Sequence, residues 1–388
     1  MAEAFPTVRL ADGLASALAS GHPWIYRDHL PPGVAEAHGL SSGDWLRVEA
    51  GREAATFLYD AEGAIALRRF DAPGPPDDAW WRAAVERAVG VRAPLRAAGH
   101  TAYRLIFGEG DGLPAIVADR YGRFAVLQPH AASVERFLPV VARSLLRAAR
   151  LKGVVVRRPD GLEVLAGEAP PPEETIVENG LRFLANLREG QKTGLFLDHR
   201  EHRARVRELA EGLRVVNLFA YVGGFSVNAL AGGAREVWSV DVAAPALRDA
   251  ERNVALNELP AERHRTVEAD VFEVAAGWAT TGERFDLTIL DPPSLARAKR
   301  QRARAWSAYR RLNADAARLT APGGLLATAS CTAQVGVREF EKAVRAGLRD
   351  AGRTARIVQR GGQPSDHPVL PSFPEGRYLK VLLLRFED

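Results

Sequence analysis

The sequence predicts an α/β protein in which a small β-rich domain and an α+β segment precede a parallel, doubly wound sheet. From about residue 200, apolar strand-like runs alternate with amphipathic helix-like stretches. This alternation is typical of a parallel sheet covered by helices on both faces. Residues 1–71 contain only short alternating runs, which Gly, Pro and Asp interrupt. A Pro- and Gly-rich stretch at 72–77 then predicts a linker.

The composition favours a folded protein of two or three domains, since the chain has 388 residues and is 47% hydrophobic. The single cysteine excludes an intrachain disulfide and a Cys-rich metal site, and it fits a reducing cytoplasm. No metal site is predicted. The first residues lack the pattern of a signal peptide, and no run reaches the roughly 18–20 apolar residues of a membrane span. We therefore expect a cytoplasmic protein.

The predicted elements divide the chain into domains at 1–71, 72–179 and 180–388. The first domain contains predicted strands at 45–49, 55–59 and 64–68. The middle domain begins with a helix over 78–93, which Pro94 is expected to stop. A hairpin at 104–122, a helix at 133–149 and a strand at 154–157 complete it, and a second hairpin at 175–183 crosses into the last domain.

The C-terminal domain is predicted from its alternating pattern. The expected helices are 199–211, 225–231, 244–257 and 303–320, and the expected strands are 214–219, 236–240, 265–268, 286–290 and 324–330.

Two acidic residues follow a glycine turn in the order that an adenosine-type ligand requires. Gly223 and Gly224 lie between a strand and a helix, where a ligand can approach the backbone. Asp241 ends the next strand and is placed to accept hydrogen bonds from a ribose, and Asp270 ends the third strand near an adenine amino group. Each acid can alternatively be a helix N-cap.

Asp291 and Cys331 end the two strands that follow. Pro292 and Pro293 force an extended backbone after Asp291, and they leave carbonyl groups available to a base amino group. The alternative for this tip is a plain strand end, and for Cys331 it is a buried structural thiol. The two together suggest a nucleophile that attacks cytosine.

At this point the chain resembles the class I S-adenosylmethionine-dependent methyltransferases, which have a Rossmann-like catalytic domain. More narrowly, it is similar to the bacterial 23S rRNA cytosine-5 methyltransferases with an N-terminal PUA domain, the rRNA large subunit methyltransferase I-like family. The motifs that carry the resemblance are Glu189–Arg200, Asn217–Tyr221, Leu290–Pro293, Ala329–Thr332, Asp366–Pro368, Pro374–Lys380 and, in the PUA-like domain, Gly21–Tyr26.

The resemblance implies S-adenosyl-L-methionine as the cofactor and assigns a role to each matching residue. Asp241 would bind the ribose, Asp270 the adenine, and Asp291 would face both the methionine end and the target base. The other implied cofactor contacts are Gln191, Phe196, Phe219, Tyr221 and Gly223.

Cytosine-5 chemistry needs a thiolate because C5 attacks a methyl sulfonium only after a nucleophile has added to C6. We assign Cys331 as that nucleophile and Asp291 as the partner of N3. A cation should promote ionisation of the thiol, and Lys192, Arg297 and Lys299 are the candidates. RNA cytosine-5 methyltransferases with two cysteines carry the second one after Asp-Pro-Pro or its equivalent, where this chain has Ser294, so the chain resembles the branch with one cysteine. The base for the last step is unassigned, although His367 is one candidate.

The segment 294–313 contains seven Lys and Arg residues and no acid, within a chain of net charge +4. Basic groups neutralise phosphates and aromatic rings stack on unpaired bases, so we expect Arg297, Lys299, Arg300 and Tyr309 to contact RNA. The alternative is a solvated helix face. The expected partner is 23S rRNA, naked or in an early assembly intermediate. Residues 1–74 contain 6 Arg and 10 acidic residues, which argues against a simple electrostatic contact between the PUA-like domain and RNA. This domain can instead recognise the shape of the RNA, pack against the catalytic domain or mediate a homodimer.

The sequence leaves two other functions open. An N6-adenine or N2-guanine RNA methyltransferase would use the same cofactor site without a cysteine, but Ser294 occupies the position where adenine-N6 enzymes carry an aromatic residue. An RNA-binding assembly protein without catalysis is the second alternative, and the intact set Asp241, Asp270, Asp291 and Cys331 argues against it.

Overall fold

The computed structural model describes residues 5–188 and 195–387. These residues form two compact units. Of these residues, the first unit contains 5–176, the described part of 185–197, and Ser365–Gly376. The second unit contains Val177–Leu184, Asp198–Pro364 and 377–387. No described helix is both long enough and apolar enough to cross a membrane.

The first unit contains two five-stranded sheets, with strand orders β1-β3-β4-β5-β2 and β10-β9-β8-β7-β6. Its strands are β1 (Thr7–Arg9), β2 (Trp24–Tyr26), β3 (Trp45–Ala50), β4 (Glu53–Tyr59), β5 (Ile65–Phe70), β6 (Ala102–Phe107), β7 (Ile116–Tyr121), β8 (Phe124–Pro129), β9 (Gly153–Arg158) and β10 (Gly161–Gly167). Its helices are α1 (Ala15–Ala19), α2 (Val34–His38), α3 (Asp78–Val91), α4 (Ala93–Ala97) and α5 (Leu138–Ala148).

The expectation that Pro94 stops the first long helix is wrong in detail. Helix α3 already ends at Val91, and Pro94 lies in the first turn of α4. Proline fits there because the first turn of a helix leaves its N–H groups without intrahelical acceptors. Strands β11 (Glu173–Glu178) and β12 (Leu181–Asn186) form a two-stranded sheet, which confirms the hairpin predicted at 175–183.

The second unit is a seven-stranded sheet of order β15-β14-β13-β16-β17-β19-β18 with associated helices. Its strands are β13 (Arg214–Leu218), β14 (Glu236–Asp241), β15 (His264–Glu268), β16 (Phe285–Leu290), β17 (Thr320–Ser330), β18 (Ala355–Gly361) and β19 (Lys380–Phe386). Its helices are α6 (Arg200–Leu209), α7 (Gly224–Ala231), α8 (Ala244–Leu256), α9 (Val271–Thr281), α10 (Arg302–Leu319) and α11 (Val337–Asp350).

The predicted α/β fold class is confirmed, with one correction to the sheet. Strands β13 to β17 run parallel, whereas β19 is antiparallel to β17 and β18 is antiparallel to β19. The sequence analysis identified neither β18 nor β19, nor the helices α9 and α11. The antiparallel pair forms one edge of the sheet and places Lys380 opposite Ser330 in the register.

Strand β13 lies between β14 and β16, so the order of the sheet reverses at this strand. Leu218 pairs with both Val240 and Leu290, and Leu290 pairs with Thr328. The carboxyl ends of β13, β14, β16 and β17 therefore meet at the same edge of the sheet. In open α/β sheets, ligands bind in the crevice at such a reversal point.

Candidate active site

The glycine turn after β13 has an unusual backbone. Phe219 and Tyr221 have φ angles of 65° and 49°, and Gly223, which precedes α7, has a φ of 75°. Residues with a side chain pay on the order of 1–3 kcal/mol for such conformations, which often occur at functional sites. A Cβ atom on Gly223 would lie 2.7 Å from the Cβ of Ala250, so the turn has room only for glycine there.

Asp241, at the end of β14, fixes this turn. One carboxylate oxygen accepts a hydrogen bond from the backbone N–H of Tyr221 at 2.8 Å, and the other accepts from Ala243 N–H at 2.9 Å. Each oxygen keeps a second lone pair, because a carboxylate offers about four acceptor positions. The half-buried carboxylate can therefore hold the turn and also accept hydrogen bonds from a ribose.

Asp270 is the N-cap of helix α9. Its carboxylate accepts a hydrogen bond from Phe272 N–H at 2.8 Å, which is the capping role that the sequence analysis left open. The side chain is also exposed to solvent, so its second oxygen remains accessible. The rings of Phe219 and Phe272 contact edge to face, with centroids 6.0 Å apart. An apolar surface thus accompanies the two acids, which suits an adenine ring.

Asp291 has a histidine partner that the sequence analysis did not identify. His199 Nε2 lies 3.3 Å from Asp291 Oδ1, and the histidine side chain is only 4% exposed. His199 belongs to the motif Glu189–Arg200, but the sequence does not show that it contacts Asp291. Nearby, His202 Nε2 lies 2.8 Å from Gly362 O, and burial lowers the pKa of His202 to about 4. His202 is therefore neutral at pH 7 and donates to that carbonyl.

Cys331 follows β17 directly and is half-buried. It packs, together with Tyr378, against a small apolar cluster formed by Ala329, Leu379 and Val381. Half-burial leaves the thiol within reach of a ligand. The structure thus keeps Cys331 out of the main hydrophobic core, where a purely structural cysteine would be expected.

A buried lysine lies beside this cysteine. Lys380 is 4% exposed, and its Nζ donates hydrogen bonds to the carbonyl oxygens of Thr332, Val335 and Tyr378 at 2.8, 2.9 and 2.8 Å. Burial lowers the pKa of Lys380 to about 8, and the negative charge of Cys331 acts in the opposite direction. The sequence analysis named Lys380 only as part of a motif, because the sequence does not show that Lys380 pairs with Ser330 across two strands.

The prediction that Tyr309 contacts RNA is wrong. Tyr309 is fully buried, its ring contacts Phe340, and its hydroxyl is 2.7 Å from Thr332 Oγ1. Burial raises the pKa of Tyr309 to about 12, so it remains a neutral phenol at pH 7. Its helical spacing from the buried Ala305 and Leu312 explains the error, because these three residues form the inward face of α10.

The cations of the basic segment differ in whether they form ion pairs. Arg302 forms an ion pair with Glu339, and Arg310 forms one with Asp350, so both belong to contacts between α10 and α11. Arg297, Lys299 and Arg300 are instead exposed, and none of them pairs with a carboxylate of the residues that the structure describes. These three cations, like the exposed Arg304 on α10, remain available to phosphates.

Several predicted residues lie outside this part of the structure. Gln191 and Lys192 are not among the described residues. Phe196 and His367 belong to the first unit, so their predicted roles stay predictions. His367 is buried there, with Nδ1 3.2 Å from Asp366 Oδ1. Ser294 is exposed, and its hydroxyl donates to Ala296 O at 3.3 Å.

A crevice at the reversal of a parallel sheet, with acids at the strand ends, is typical of proteins that bind a nucleoside-containing cofactor. Comparisons with known proteins identify the class. Residues 133–385 match the S-adenosylmethionine-dependent methyltransferase family, and residues 8–71 match a PUA-like domain. The chain therefore belongs to the S-adenosylmethionine-dependent methyltransferases, as the motifs predicted.

Its relatives make the assignment narrower. A protein from Deinococcus radiodurans named ribosomal RNA large subunit methyltransferase is 40% identical, with 100% of this chain and 99% of the relative covered. A ribosomal RNA large subunit methyltransferase I from Klebsiella pneumoniae is 36% identical, with 98% of each chain covered. The fold also matches a putative S-adenosylmethionine-dependent methyltransferase from Streptococcus mutans, with a TM-score of 0.86, 21% identity and coverage of 98% and 100%.

The cofactor of this family is S-adenosylmethionine, and the residues at the strand ends fit it. The strained turn at Phe219–Gly223 exposes backbone at the sheet reversal, while the Asp241 carboxylate retains acceptor capacity for hydroxyl groups. A solved putative methyltransferase in complex with SAH has the same fold, with a TM-score of 0.88 at 22% identity and coverage of 98% and 100%.

We expect Asp241→Ala to weaken S-adenosylmethionine binding by roughly 10- to 150-fold, because hydrogen bonds to a charged group contribute about 1.5–3 kcal/mol. Isothermal titration calorimetry measures the dissociation constant. Asp249→Ala is the matched control, since Asp249 lies on the adjacent helix α8 and pairs with Arg252. A dissociation constant within twofold of the wild-type value in folded Asp241→Ala protein would contradict the assignment.

Proposed function

We propose that the protein transfers a methyl group from S-adenosylmethionine to C5 of a cytosine in 23S rRNA, through a covalent bond between Cys331 and C6 of that cytosine. The names of the relatives from D. radiodurans and K. pneumoniae support rRNA of the large subunit as the substrate. The observation that carries the cytosine-5 part is the position of Cys331 next to the strand end that holds Asp291.

Strands β16 and β17 are parallel neighbours, and Leu290 pairs with Thr328 in their register. Asp291 and Cys331 therefore leave the sheet at the same edge, one on each strand. Besides burial, negative charge on either Asp291 or Cys331 raises the pKa of the buried Tyr309, which supports the proximity of the two side chains. A thiol and a carboxyl group thus lie next to the crevice in which the cofactor binds.

The chemistry requires both groups. S-adenosylmethionine, when bound, supplies the electrophilic methyl group. The thiolate of Cys331 adds to C6, the C5–C6 π electrons become available at C5, and negative charge develops towards N3. In this proposal the Asp291 carboxyl group donates its proton to N3 as the charge develops and takes it back when the ring is restored, and the contact with His199 holds that carboxyl group in position.

Release of the enzyme then needs a second proton transfer. Once C5 carries the methyl group, its proton passes to water, the electrons of the C5–H bond restore the C5–C6 double bond, and the C6–S bond breaks to return the thiolate. Ser294 follows Pro293, and its hydroxyl ionises far less readily than a thiol, so it does not supply a base at neutral pH. Cys331 is therefore both the attacking and the leaving group in this proposal.

The segment that follows Asp291 supplies the contact with RNA. Arg297, Lys299 and Arg300 are exposed there and carry no described ion pair. Lys and Arg side chains in such positions neutralise phosphates. The target cytosine must leave any RNA helix to reach the thiol of Cys331, which lies at the end of strand β17. This requirement favours naked 23S rRNA or an early assembly intermediate as the substrate.

Cys331→Ala tests the nucleophile. We expect methyl transfer to unmodified 23S rRNA to fall below detection, because no other side chain of the chain is a thiol, whereas S-adenosylmethionine binding should stay within about twofold of the wild-type value. Labelled cofactor and nucleoside analysis of the RNA measure transfer and product.

Ser294→Ala is the control for Cys331→Ala, and it should keep its activity because Ser294 has no chemical role in the proposal. Full activity of Cys331→Ala, or a methylated amino group in place of 5-methylcytosine, would favour the amino-group methyltransferase. Absence of cofactor binding to folded wild-type protein would favour the non-catalytic alternative.

Replacement of Arg297, Lys299 and Arg300 by Ala should weaken RNA binding in low salt and reduce the slope of log K against log salt by up to about 2, since each lost phosphate contact to a single strand removes about 0.7. The matched control replaces the same number of exposed cations on α11, namely Arg338, Lys342 and Arg345. Equal salt slopes for both triple variants would contradict a specific role for the segment after Asp291.

A further inference from the structure

Lys380 occupies an environment that is rare for a lysine. Its side chain is buried, and its Nζ lies within 2.9 Å of the three carbonyl oxygens of Thr332, Val335 and Tyr378. Three acceptors require three N–H donors, and only the ammonium form of lysine has three. The geometry therefore favours a protonated, positively charged Lys380.

The position of this charge is set by the sheet. Lys380 pairs with Ser330 across β17 and β19, so it lies next to the residue that precedes Cys331. Two of its acceptors, Thr332 and Val335, belong to the loop that follows Cys331. Backbone groups that precede and follow Cys331 in the sequence therefore hold Lys380 in place.

We propose that Lys380 is a positioning residue whose ammonium group stabilises the thiolate of Cys331 and fixes the loop that carries it. This inference rests on the proposed function, because a stabilised thiolate matters only if Cys331 attacks a base. The same charge acts twice, since Cys331 is a thiolate before it adds to C6 and again when it leaves.

Electrostatic coupling between the two groups is reciprocal. The negative charge of Cys331 raises the pKa of Lys380, against the larger effect of burial, so the ammonium must favour the thiolate by the same interaction. Three described neighbours of the site, Tyr309, Asp291 and Tyr378, supply no positive charge. Tyr309 is a neutral phenol, Asp291 is acidic, and the hydroxyl of Tyr378 donates to Asp198 Oδ2 at 2.6 Å.

The lone cysteine makes the test direct, because alkylation with iodoacetamide reports on Cys331 alone. In wild-type protein, we expect the midpoint of the alkylation rate against pH to lie at least about one pH unit below the ordinary thiol value of about 8.5. Lys380→Met keeps the shape of the side chain without the charge. It should move the midpoint upward by about one unit and lower the rate at pH 7 about tenfold.

Lys380→Arg restores the charge and should recover most of the wild-type profile. Lys342→Met removes an exposed lysine of α11 and should leave the profile unchanged. Near-ultraviolet circular dichroism checks that each variant is folded.

Two results would overturn the proposal. One is a wild-type midpoint at or above about 8.5, which needs no variant and is therefore independent of any folding defect. The other is a folded Lys380→Met protein with an unchanged midpoint. Because alkylation requires neither RNA nor cofactor, failure of this proposal is distinguishable from failure of the cytosine-5 assignment, which the product analysis decides.

Discussion

The register of four parallel strands is the constraint on which the site depends. Leu218 is paired with Val240 and Leu290, and Leu290 with Thr328, so each of these strands ends at the same edge of the sheet. A shift of one residue in any pair would turn every side chain of that strand to the opposite face. The hydrophobic burial of both sheet faces therefore also fixes where Asp241, Asp291 and Cys331 lie.

Polar contacts then hold the residues at this edge in place. The Asp241 carboxylate ties the strained turn at Tyr221 to β14, and a buried set formed by Tyr309, Thr332 and Lys380 supports the loop after Cys331. Buried polar groups are stable only when their hydrogen bonds are satisfied, and Lys380 uses all three donors. The position of the Cys331 thiol beside the buried Lys380 follows from this arrangement.

Much of the site was predictable from the sequence, because acids at the ends of successive strands have a simple signature. The glycine turn, Asp241, Asp291 and Cys331 each follow a predicted strand, and the sheet brings those strand ends together. What sequence reasoning missed depends on tertiary contacts. His199 precedes its helix, and Lys380 reaches the site only through the antiparallel strand β19. Tyr309 was misread because an aromatic residue in a basic segment resembles an RNA contact until the inward face of α10 is known.

The central claim is the covalent bond between Cys331 and a cytosine, and RNA that contains 5-fluorocytosine tests it most directly. A fluorine at C5 leaves no proton to remove after methyl transfer, so the C6–S bond cannot break in the usual way. Incubation with S-adenosylmethionine, followed by protease digestion and mass spectrometry of the peptide–nucleotide product, identifies the bonded residue. The account predicts a stable adduct that carries the methyl group on the peptide containing Cys331. Methylation of ordinary 23S rRNA by the same protein, without any adduct on the fluorinated RNA, would contradict it.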